Sequence, residues 1–316
     1  MRWPALAWIA VAVVCGQPSQ QAAAQARDAE PAYGEAVVSP AFYPEGPLLT
    51  RDGLFFAEMS KDRVRLYNGK TTEVVWELAR CGPTSIKSAG DKGYWILCHL
   101  GNAVVMVDRN FKNLSLIKRV EDGTVLSSPN DASTDPEGNL YLSSSGVFDN
   151  KAPAEGRLIR VDLDGRARTL ASGIRYSNGV TYDRKRQRIL VSEHLAGRIL
   201  SYAMDGVGRV QSQPTVFFDF RNAPTVKDRY EQSGPDGQAL LPDGSLIVAD
   251  YGNGRLLHLS VDGQFLHELP VRYRFVTNMV RIPGQNLLYV VMSKTNSVAP
   301  YEGVVERVRL NFDVKE

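Results

Sequence analysis

One short unit recurs six times along the 316-residue chain, and this repeat constrains the fold more than any other feature. Each copy has a short apolar stretch, a turn with Gly or Pro, and then a run rich in Val, Ile, Leu, Tyr and Phe, which is typical of β-strands. Several copies continue into a third strand and a polar turn, as in "RLLHLSVDG". The copies lie at residues 44–58, 83–98, 129–144, 177–193, 235–250 and 277–292. Six such units predict an all-β chain folded as a six-bladed β-propeller with four-stranded blades.

A β-sandwich is the alternative all-β architecture, but it would not repeat the same unit six times. Residues 27–316 are long enough for a single six-bladed β-propeller domain. The segment "EAVVSP" at 35–40 precedes the first repeat. We expect it to supply the outer strand of the last blade and so to close the ring.

The first residues of the chain predict export. Arg2 is followed by an apolar stretch at 5–14 and by the small-residue motif Ala-Gln-Ala at 24–26. Because about 20 apolar residues are needed to cross a bilayer, residues 1–26 are interpreted as a signal peptide of a periplasmic or secreted protein. The formal net charge of +2, with no basic run, gives no electrostatic reason to bind nucleic acid or an anionic membrane. We expect a monomer without a membrane span.

Two cysteines follow the predicted signal peptide. Cys81 and Cys98 flank a predicted hairpin around "AGDKG". An oxidising compartment permits a disulfide between them. Spacing alone does not fix the distance between their Cα atoms, so a cross-strand disulfide and two buried free thiols both remain open.

The second residue of each repeat carries a side chain with an oxygen atom. Because the innermost strands of a propeller run in the same direction around a central channel, equivalent residues converge at one mouth of that channel. A single residue of this kind could merely cap a turn, but crowded carboxylates are costly unless a cation lies between them. Oxygen donors without His or Cys favour one divalent cation, with Ca²⁺ preferred and Mg²⁺, Mn²⁺ or Zn²⁺ as alternatives. The residues are Glu45, Thr84, Asn130, Asn178, Asp236 and Asn278.

The motifs around these residues resemble a known family. "YPEGPLL", "SPNDASTDPEGNLYLS", "YSNGVTYD" and "GPDGQALLPDGSLIVADYGNGRL" are similar to segments of the senescence marker protein, gluconolactonase and luciferin-regenerating enzyme family, over nearly all of residues 40–310. The resemblance implies a six-bladed propeller with one divalent metal in the channel mouth, and many members hydrolyse lactones. It implies Glu45, Asn178 and Asp236 as metal ligands and Asn130 as a residue that binds substrate or a metal-bound water.

The resemblance also implies a mechanism, in which the cation polarises an ester or lactone carbonyl and activates a water. The general base is either Asp236 or the hydroxide that the cation generates, and Asn130 stabilises the oxyanion or positions the water. His99 and His194 follow the second strands of blades two and four, so both are expected at the same mouth. They are candidates for substrate binding or for the base, and ordinary packing histidines are the alternative.

Ser128 stands where sugar-lactone hydrolases of the family often carry Arg, two residues before the asparagine of the "ND" motif. We count Ser128 among the substrate-binding residues and expect a less polar substrate than a sugar lactone. The connections 145–156 and 219–234 are longer than ordinary hairpin turns. Phe148 and Tyr230 within them predict a partly apolar lid.

The leading hypothesis is a divalent-metal-dependent hydrolase of a small-molecule lactone or related ester. The alternative is a non-catalytic propeller that binds a ligand or partner and holds a structural metal, since one fold hosts many functions. The third hypothesis is a propeller enzyme that catalyses a condensation, of the strictosidine synthase type. The "PEG", "SNG" and "PDG" set argues against this third possibility.

Overall fold

A computed structural model of the chain describes residues 33–314, and this part is all-β. The predicted signal peptide, residues 1–26, lies outside the described residues. Within residues 33–314 the only helices are single 3-10 turns, at Met59–Lys61, Gly90–Lys92, Arg184–Arg186, His194–Ala196 and Phe220–Asn222. None of these is long and apolar enough to span a bilayer.

Six antiparallel sheets of four strands make up the described part of the chain. The first strand in the sequence is β1 (Glu35–Phe42). Blade one contains β2 (Pro44–Leu49), β3 (Leu54–Glu58), β4 (Arg63–Tyr67) and β5 (Thr72–Glu77). Blade two contains β6 (Pro83–Ser88), β7 (Tyr94–Cys98), β8 (Ala103–Val107) and β9 (Asn113–Ile117). Blade three contains β10 (Pro129–Thr134), β11 (Leu140–Ser144), β12 (Gly156–Val161) and β13 (Ala167–Ile174).

The remaining three blades continue in chain order. Blade four contains β14 (Ser177–Asp183), β15 (Arg188–Glu193), β16 (Arg198–Ala203) and β17 (Thr215–Asp219). Blade five contains β18 (Gly234–Leu240), β19 (Leu246–Tyr251), β20 (Arg255–Leu259) and β21 (Phe265–Pro270). Blade six contains β22 (Phe275–Arg281), β23 (Leu287–Ser293) and β24 (Glu302–Arg309), and β1 is its outer strand.

The six sheets form a closed six-bladed β-propeller, as the repeat predicted. The first strands β2, β6, β10, β14, β18 and β22 each contact the next one around the ring, and β22 contacts β2. Strand β1 pairs antiparallel with β24, so the segment before the first repeat completes the last blade. This pairing confirms the predicted ring closure, because residues from opposite ends of the described chain share one sheet.

The apolar core lies between neighbouring blades. Trp95 of blade two and Leu140 of blade three, both 0% exposed, belong to one cluster, and the Trp95 indole N–H donates to the Gly138 carbonyl at 2.9 Å. Successive strand residues point to opposite faces of a sheet, so each sheet contributes apolar side chains to both of its neighbours.

The two Pro-Asp-Gly triplets of blade five have different positions in the fold. The triplet at 242–244 forms the turn between β18 and β19, where the Leu241 N–H donates to the Ser245 carbonyl at 2.8 Å and Gly244 has φ +90°. The triplet at 235–237 lies at the start of the inner strand β18. Only the triplet at 235–237 faces the central channel, through Asp236.

Cys81 and Cys98 form a disulfide. Cys81 lies just before β6 and Cys98 is the last residue of β7, so the bond ties together the channel-mouth ends of two paired strands in blade two. The structure therefore selects the disulfide over the two free thiols that the spacing left open.

Candidate active site

The predicted ring residues lie where the first and second strands of each blade pair irregularly. In every blade the register shifts near the start of the inner strand, as it does between Glu45 and Leu48 in blade one. A β-bulge of this kind re-aims a side chain. Five of the six ring residues line one cavity of about 100 Å³: Glu45, Thr84, Asn130, Asn178 and Asp236.

Asn278 of blade six is the exception among the ring residues. Its side-chain Oδ1 accepts a hydrogen bond from the Met279 N–H at 2.8 Å. Its amide group lies against Gly237, where an added Cβ would be 2.2 Å from Asn278 Cγ. Asn278 does not line the cavity, so the expected convergence holds for five blades and is wrong for the sixth.

Glycines that follow the candidate ligands allow the inner strands to approach one another. A Cβ added at Gly179, which follows Asn178, would lie 2.2 Å from the Asp236 carbonyl oxygen. A Cβ added at Gly46 would lie 2.3 Å from the Thr84 carbonyl oxygen, and Gly46 also has φ +32°. Any other residue would collide with the neighbouring backbone at these positions. Close packing therefore explains why glycine follows Glu45 and Asn178, in addition to the chemistry of the two candidate ligands.

Three carboxyl groups are buried together in the channel. The residues Glu45, Asp131 and Asp236 are between 3% and 6% exposed. Burial, reinforced by the charges of Asp236 and Asp131, raises the pKa of Glu45 well above its usual range. Burial and the charge of Asp131 likewise raise the pKa of Asp236. Ionising both carboxyls is therefore costly unless a cation lies between them.

Asn178 has one buried atom without a partner within the described residues. Its Nδ2 lies 3.3 Å from His194 Nδ1, and His194 Nε2 lies 3.0 Å from the Gln232 carbonyl oxygen. With Nε2–H donating to that carbonyl, the neutral imidazole accepts from the Asn178 amide through Nδ1. Asn178 Oδ1 is buried and makes no hydrogen bond, so an oxygen of the amide is free to bind a ligand.

His194 is thereby a positioning residue. It is 1% exposed, and burial lowers its pKa to about 4, so its ring is neutral at pH 7. Both ring nitrogens are within hydrogen-bonding distance of a protein atom, Asn178 Nδ2 or the Gln232 carbonyl. His194 lines the cavity, as predicted, and its hydrogen bonds fix the orientation of Asn178.

His99 differs from His194 in its hydrogen bonding. His99 Nδ1 lies 3.2 Å from the Pro129 carbonyl oxygen, which requires the proton on Nδ1 and leaves the lone pair on Nε2. Burial lowers the pKa of His99 to about 4. His99 and Asn130 both line the cavity. The Nε2 lone pair of His99 can therefore accept a proton, or a hydrogen bond from a substrate hydroxyl.

Ser128 lies outside the set of residues that line the cavity. It is half-buried and has φ +51°. Its N–H donates to Asn102 Oδ1 at 2.7 Å, and its carbonyl accepts from the Ser145 N–H at 3.0 Å. The structure therefore brings together Glu45, Asn130, Asn178, Asp236 and both histidines, and it leaves Ser128 out of the cavity lining.

Asp131 and its ion pair were not predicted from the sequence. Asp131 accepts a hydrogen bond from Ser85 Oγ at 3.1 Å, and the ammonium of Lys87 lies 3.4 Å from the same carboxylate. The available signal was the "PNDAS" motif, in which an acid replaces the glycine of the "SNG" and "PDG" motifs. The pair adds one negative and one positive charge to the channel.

The aromatic wall of the cavity was also missed, apart from Phe148. The rings of Tyr43, Tyr176 and Tyr251 line the cavity, and the hydroxyls of Tyr43 and Tyr251 are 3.0 Å apart. Phe148 packs edge-to-face on Tyr176, with ring centroids 4.7 Å apart. Tyr43 and Tyr176 each stand two residues before a ring residue, in "YPEG" and "YSNG", which was the available signal.

The two long connections contribute differently to this wall. Residues 145–156 place Phe148 in the cavity lining, as the lid prediction required. Tyr230, in 219–234, packs on Tyr251 and Phe275 and accepts a hydrogen bond from Asn296 Nδ2 at 2.8 Å. It does not line the cavity, so Tyr230 supports the wall from behind.

The donor set of the cavity fits a hard cation. Within residues 33–314, no group of three or more His, Cys, Asp and Glu side chains could hold a metal ion. A metal here would therefore need the free amide oxygen of Asn178 beside the carboxylates of Glu45 and Asp236. Two carboxylates and an amide oxygen are donors of the kind that Ca²⁺ prefers.

The structure defines a class of protein, namely a six-bladed β-propeller with an acidic, aromatic-walled cavity at one end of its channel. The chain belongs to the SMP-30/Gluconolactonase/LRE-like family, whose model matches residues 43–294. This confirms the family that the motifs resemble.

Two relatives of known sequence are named as lactonases. A 6-deoxy-6-sulfogluconolactonase of Pseudomonas putida is 29% identical over 192 residues, which cover 58% of this chain and 62% of that enzyme. The pentonolactonase XacC of Haloferax volcanii is 29% identical over 177 residues, 54% of this chain and 56% of that enzyme. The chain thus spans less than two thirds of the length of either relative. A solved luciferin-regenerating enzyme covers 88% of this chain and 95% of its own, with a TM-score of 0.71 and 18% identity.

Proposed function

We propose that the protein is a divalent-metal-dependent hydrolase of a neutral lactone or related ester. Family membership and the lactonase relatives support lactone hydrolysis. The observation that carries the metal dependence is the buried, unpartnered Oδ1 of Asn178 in the same cavity as the buried carboxyls of Glu45 and Asp236. The oxygen-only donors favour Ca²⁺. A monomeric, periplasmic or secreted protein remains part of the proposal.

Four polar residues of the cavity, Asn130, Asn178, His194 and Asp236, have distinct roles in this reaction. A cation held by Glu45, Asn178 and Asp236 would supply Lewis-acid polarisation of the carbonyl and would lower the pKa of a water. Asp236 accepts a proton from the water that adds to the carbonyl carbon, and Asn130 donates a hydrogen bond to the developing oxyanion. The ring C–O bond then breaks, Asp236 returns its proton to the leaving alkoxide, and the product is a hydroxy acid. His194 keeps Asn178 Oδ1 directed into the cavity throughout.

The lining of the cavity favours a substrate without negative charge. Among the lining side chains within residues 33–314, none is Lys or Arg. A sulfonate, such as the name of the Pseudomonas putida relative indicates, would find no Lys or Arg to pair with in this lining, and the carboxylates of Glu45 and Asp236 would already neutralise the charge of a bound divalent cation. Burying an anion without a pairing cation is costly, so we propose a neutral substrate.

A hydrolysis assay with matched variants tests this function. Purified protein is stripped with a chelator and assayed on neutral lactones and aryl esters with added Ca²⁺, Mg²⁺, Mn²⁺ or Zn²⁺. We expect turnover that depends on one of these ions, and a loss of about 100-fold or more in kcat/KM for Asp236→Asn and Glu45→Gln. Asp164→Asn is the control, because this exposed acid lies in the turn between β12 and β13. Metal binding without turnover on any substrate would favour the non-catalytic alternative.

A further inference from the structure

The wall of the cavity differs from blade to blade in whether an aromatic ring stands before the ring residue. The residues two positions before the ring residues of blades one to four all have positive φ, at +46°, +52°, +51° and +57°. They are Tyr43, Gly82, Ser128 and Tyr176. The shared backbone conformation directs the side chains of Tyr43, Ser128 and Tyr176 similarly, and the two tyrosine rings line the cavity. Blades two and three carry only glycine and serine at this position, so the aromatic wall is interrupted between Tyr43 and Phe148, which lines the cavity from the connection 145–156.

Exposed aliphatic side chains flank this interruption. Leu100 of blade two and Val147 of blade three are both 60% exposed, and each is the chain neighbour of a cavity residue, His99 and Phe148. Leu100 packs over Gly82, since a Cβ added at Gly82 would lie 2.4 Å from Leu100 Cγ.

The backbone around Ser128 holds both sides of the interruption together. The Ser128 N–H donates to Asn102 Oδ1, in the loop that carries Leu100, at 2.7 Å. The Ser128 carbonyl accepts from the Ser145 N–H, in the loop that carries Val147, at 3.0 Å. These hydrogen bonds tie the loops that carry Leu100 and Val147 to Ser128, and we call the three residues Leu100, Ser128 and Val147 the apolar notch.

The size of the cavity makes the notch relevant to substrate binding. A volume of about 100 Å³ is small compared with the roughly 300–1,000 Å³ of typical ligand pockets, so it holds a lactone ring with little more. A longer substrate must therefore extend beyond the cavity. Tyr43 and Tyr176 obstruct its exit on the sides of blades one and four, whereas the notch carries no ring and exposes the aliphatic surface of Leu100 and Val147, which a substrate could cover.

We propose that the apolar notch binds the alkyl tail of the substrate, so that the protein acts on lactones or esters with an aliphatic chain. This inference rests on the proposed function, because it places the reacting carbonyl in the cavity beside Glu45, Asn178 and Asp236. The tail crosses Ser128 between Leu100 and Val147. Burial of these side chains against the tail makes binding stronger as methylenes are added, until the tail extends past the notch.

A chain-length series of γ-lactones tests this inference. The probes are γ-butyrolactone and its alkyl-substituted forms with tails of one to eight carbons, assayed below their aggregation limits on the metal-loaded protein. We expect kcat/KM to rise roughly twofold per methylene over the first few carbons and then to level off. The ratio of kcat/KM for the long-tailed to the short-tailed lactone is the readout.

Three variants locate the tail. Leu100→Ser combined with Val147→Ser should lower the long-to-short ratio about fivefold, and Ser128→Tyr should bring it close to one by completing the aromatic wall. Val207→Ser is the matched control, because Val207 is 61% exposed but lies between β16 and β17, away from the notch. It should leave the ratio unchanged.

The outcomes separate this inference from the proposed function. Hydrolysis of short lactones without any gain from chain length would overturn the notch and leave the hydrolase proposal intact. The wild-type series alone decides this point, even if a variant fails to fold. A gain that persists in all notch variants would place the tail elsewhere and would also overturn the inference. No hydrolysis of any lactone or ester, with metal bound, would overturn both.

Discussion

Individual side chains in the cavity depend on neighbours that fix which of their atoms faces the channel. Asn178 presents Oδ1 to the cavity because its Nδ2 faces His194. Asp131 is held by Ser85 and Lys87, and its charge acts on Glu45 and Asp236 through the low-dielectric channel. The cavity therefore acts as a charged unit whose parts are not independent.

Asp131 should contribute to cation binding without being a ligand. Asp131→Asn keeps the shape of the side chain and removes one negative charge near the cation. We expect the affinity for Ca²⁺ to fall about tenfold, or about 1.4 kcal/mol, because charge interactions in a buried channel are weakly screened. Isothermal titration of Ca²⁺ into stripped protein measures this effect. The exposed Asp164→Asn should bind Ca²⁺ as the wild type does, and equal affinity in all three proteins would contradict the prediction.

At the level of single elements, the start of each inner strand determines the site. The register shift leaves the ring residue unpaired in blades two to five, and it lies directly beside the ring residue in blades one and six. The residue two positions before the ring residue decides whether the blade contributes an aromatic ring to the wall, and the connection 145–156 adds Phe148. In blade two the same end is tied by the disulfide between Cys81 and Cys98, next to Gly82 and His99.

The disulfide should stabilise the whole domain and keep the blade two edge of the cavity in place. The bond closes a loop of 17 residues, so removing it should cost about 3 kcal/mol in the free energy of unfolding. Urea denaturation of the wild type and of Cys81→Ser combined with Cys98→Ser measures this loss. A reductant should lower the wild-type midpoint towards that of the variant and leave the variant unchanged. Equal midpoints under oxidising conditions would show that the bond contributes nothing.

At the level of the whole molecule, the ring depends on one strand taken from the far end of the described chain. Strand β1 pairs with β24, and Val38 packs with Val291 and Val305 in the core of blade six and with Phe56 of blade one. The cavity lies at the centre of this ring, with lining residues from blades one to five. Opening the ring would therefore separate candidate ligands that lie far from β1.

A polar substitution in β1 should open the ring. Val38 is 6% exposed, so Val38→Asn buries an amide without a partner and should reduce the free energy of unfolding by about 2–3 kcal/mol. Val74→Asn is the matched control, because Val74 lies in the outer strand of blade one and is 47% exposed. Amide hydrogen exchange should increase in β24 more than in β14 for Val38→Asn and in neither strand for Val74→Asn. Uniform exchange across all blades would contradict closure by β1.

The sequence by itself determined the blade count, the strand order and most of the candidate ligands. These features follow from local rules, since period-two alternation and turn residues mark strands, and a repeat places equivalent residues at equivalent positions. The repeat alone predicted that four of these residues lie close together, and the structure places all four in one cavity: Glu45, Asn130, Asn178 and Asp236. The spacing of Cys81 and Cys98 left two alternatives, because it contained no Cα distance.

Only the tertiary structure decided which way individual side chains face and what surrounds them. Asn278 occupies an equivalent repeat position but packs against Gly237 of the neighbouring blade, and Asp131 reaches the channel through contacts with blade two. Tyr251 enters the same cavity as Tyr43, 208 residues away in the chain. A repeat specifies the backbone position of each residue, whereas the rotamer depends on close packing between blades that are distant in sequence, and that packing exists only in the closed ring.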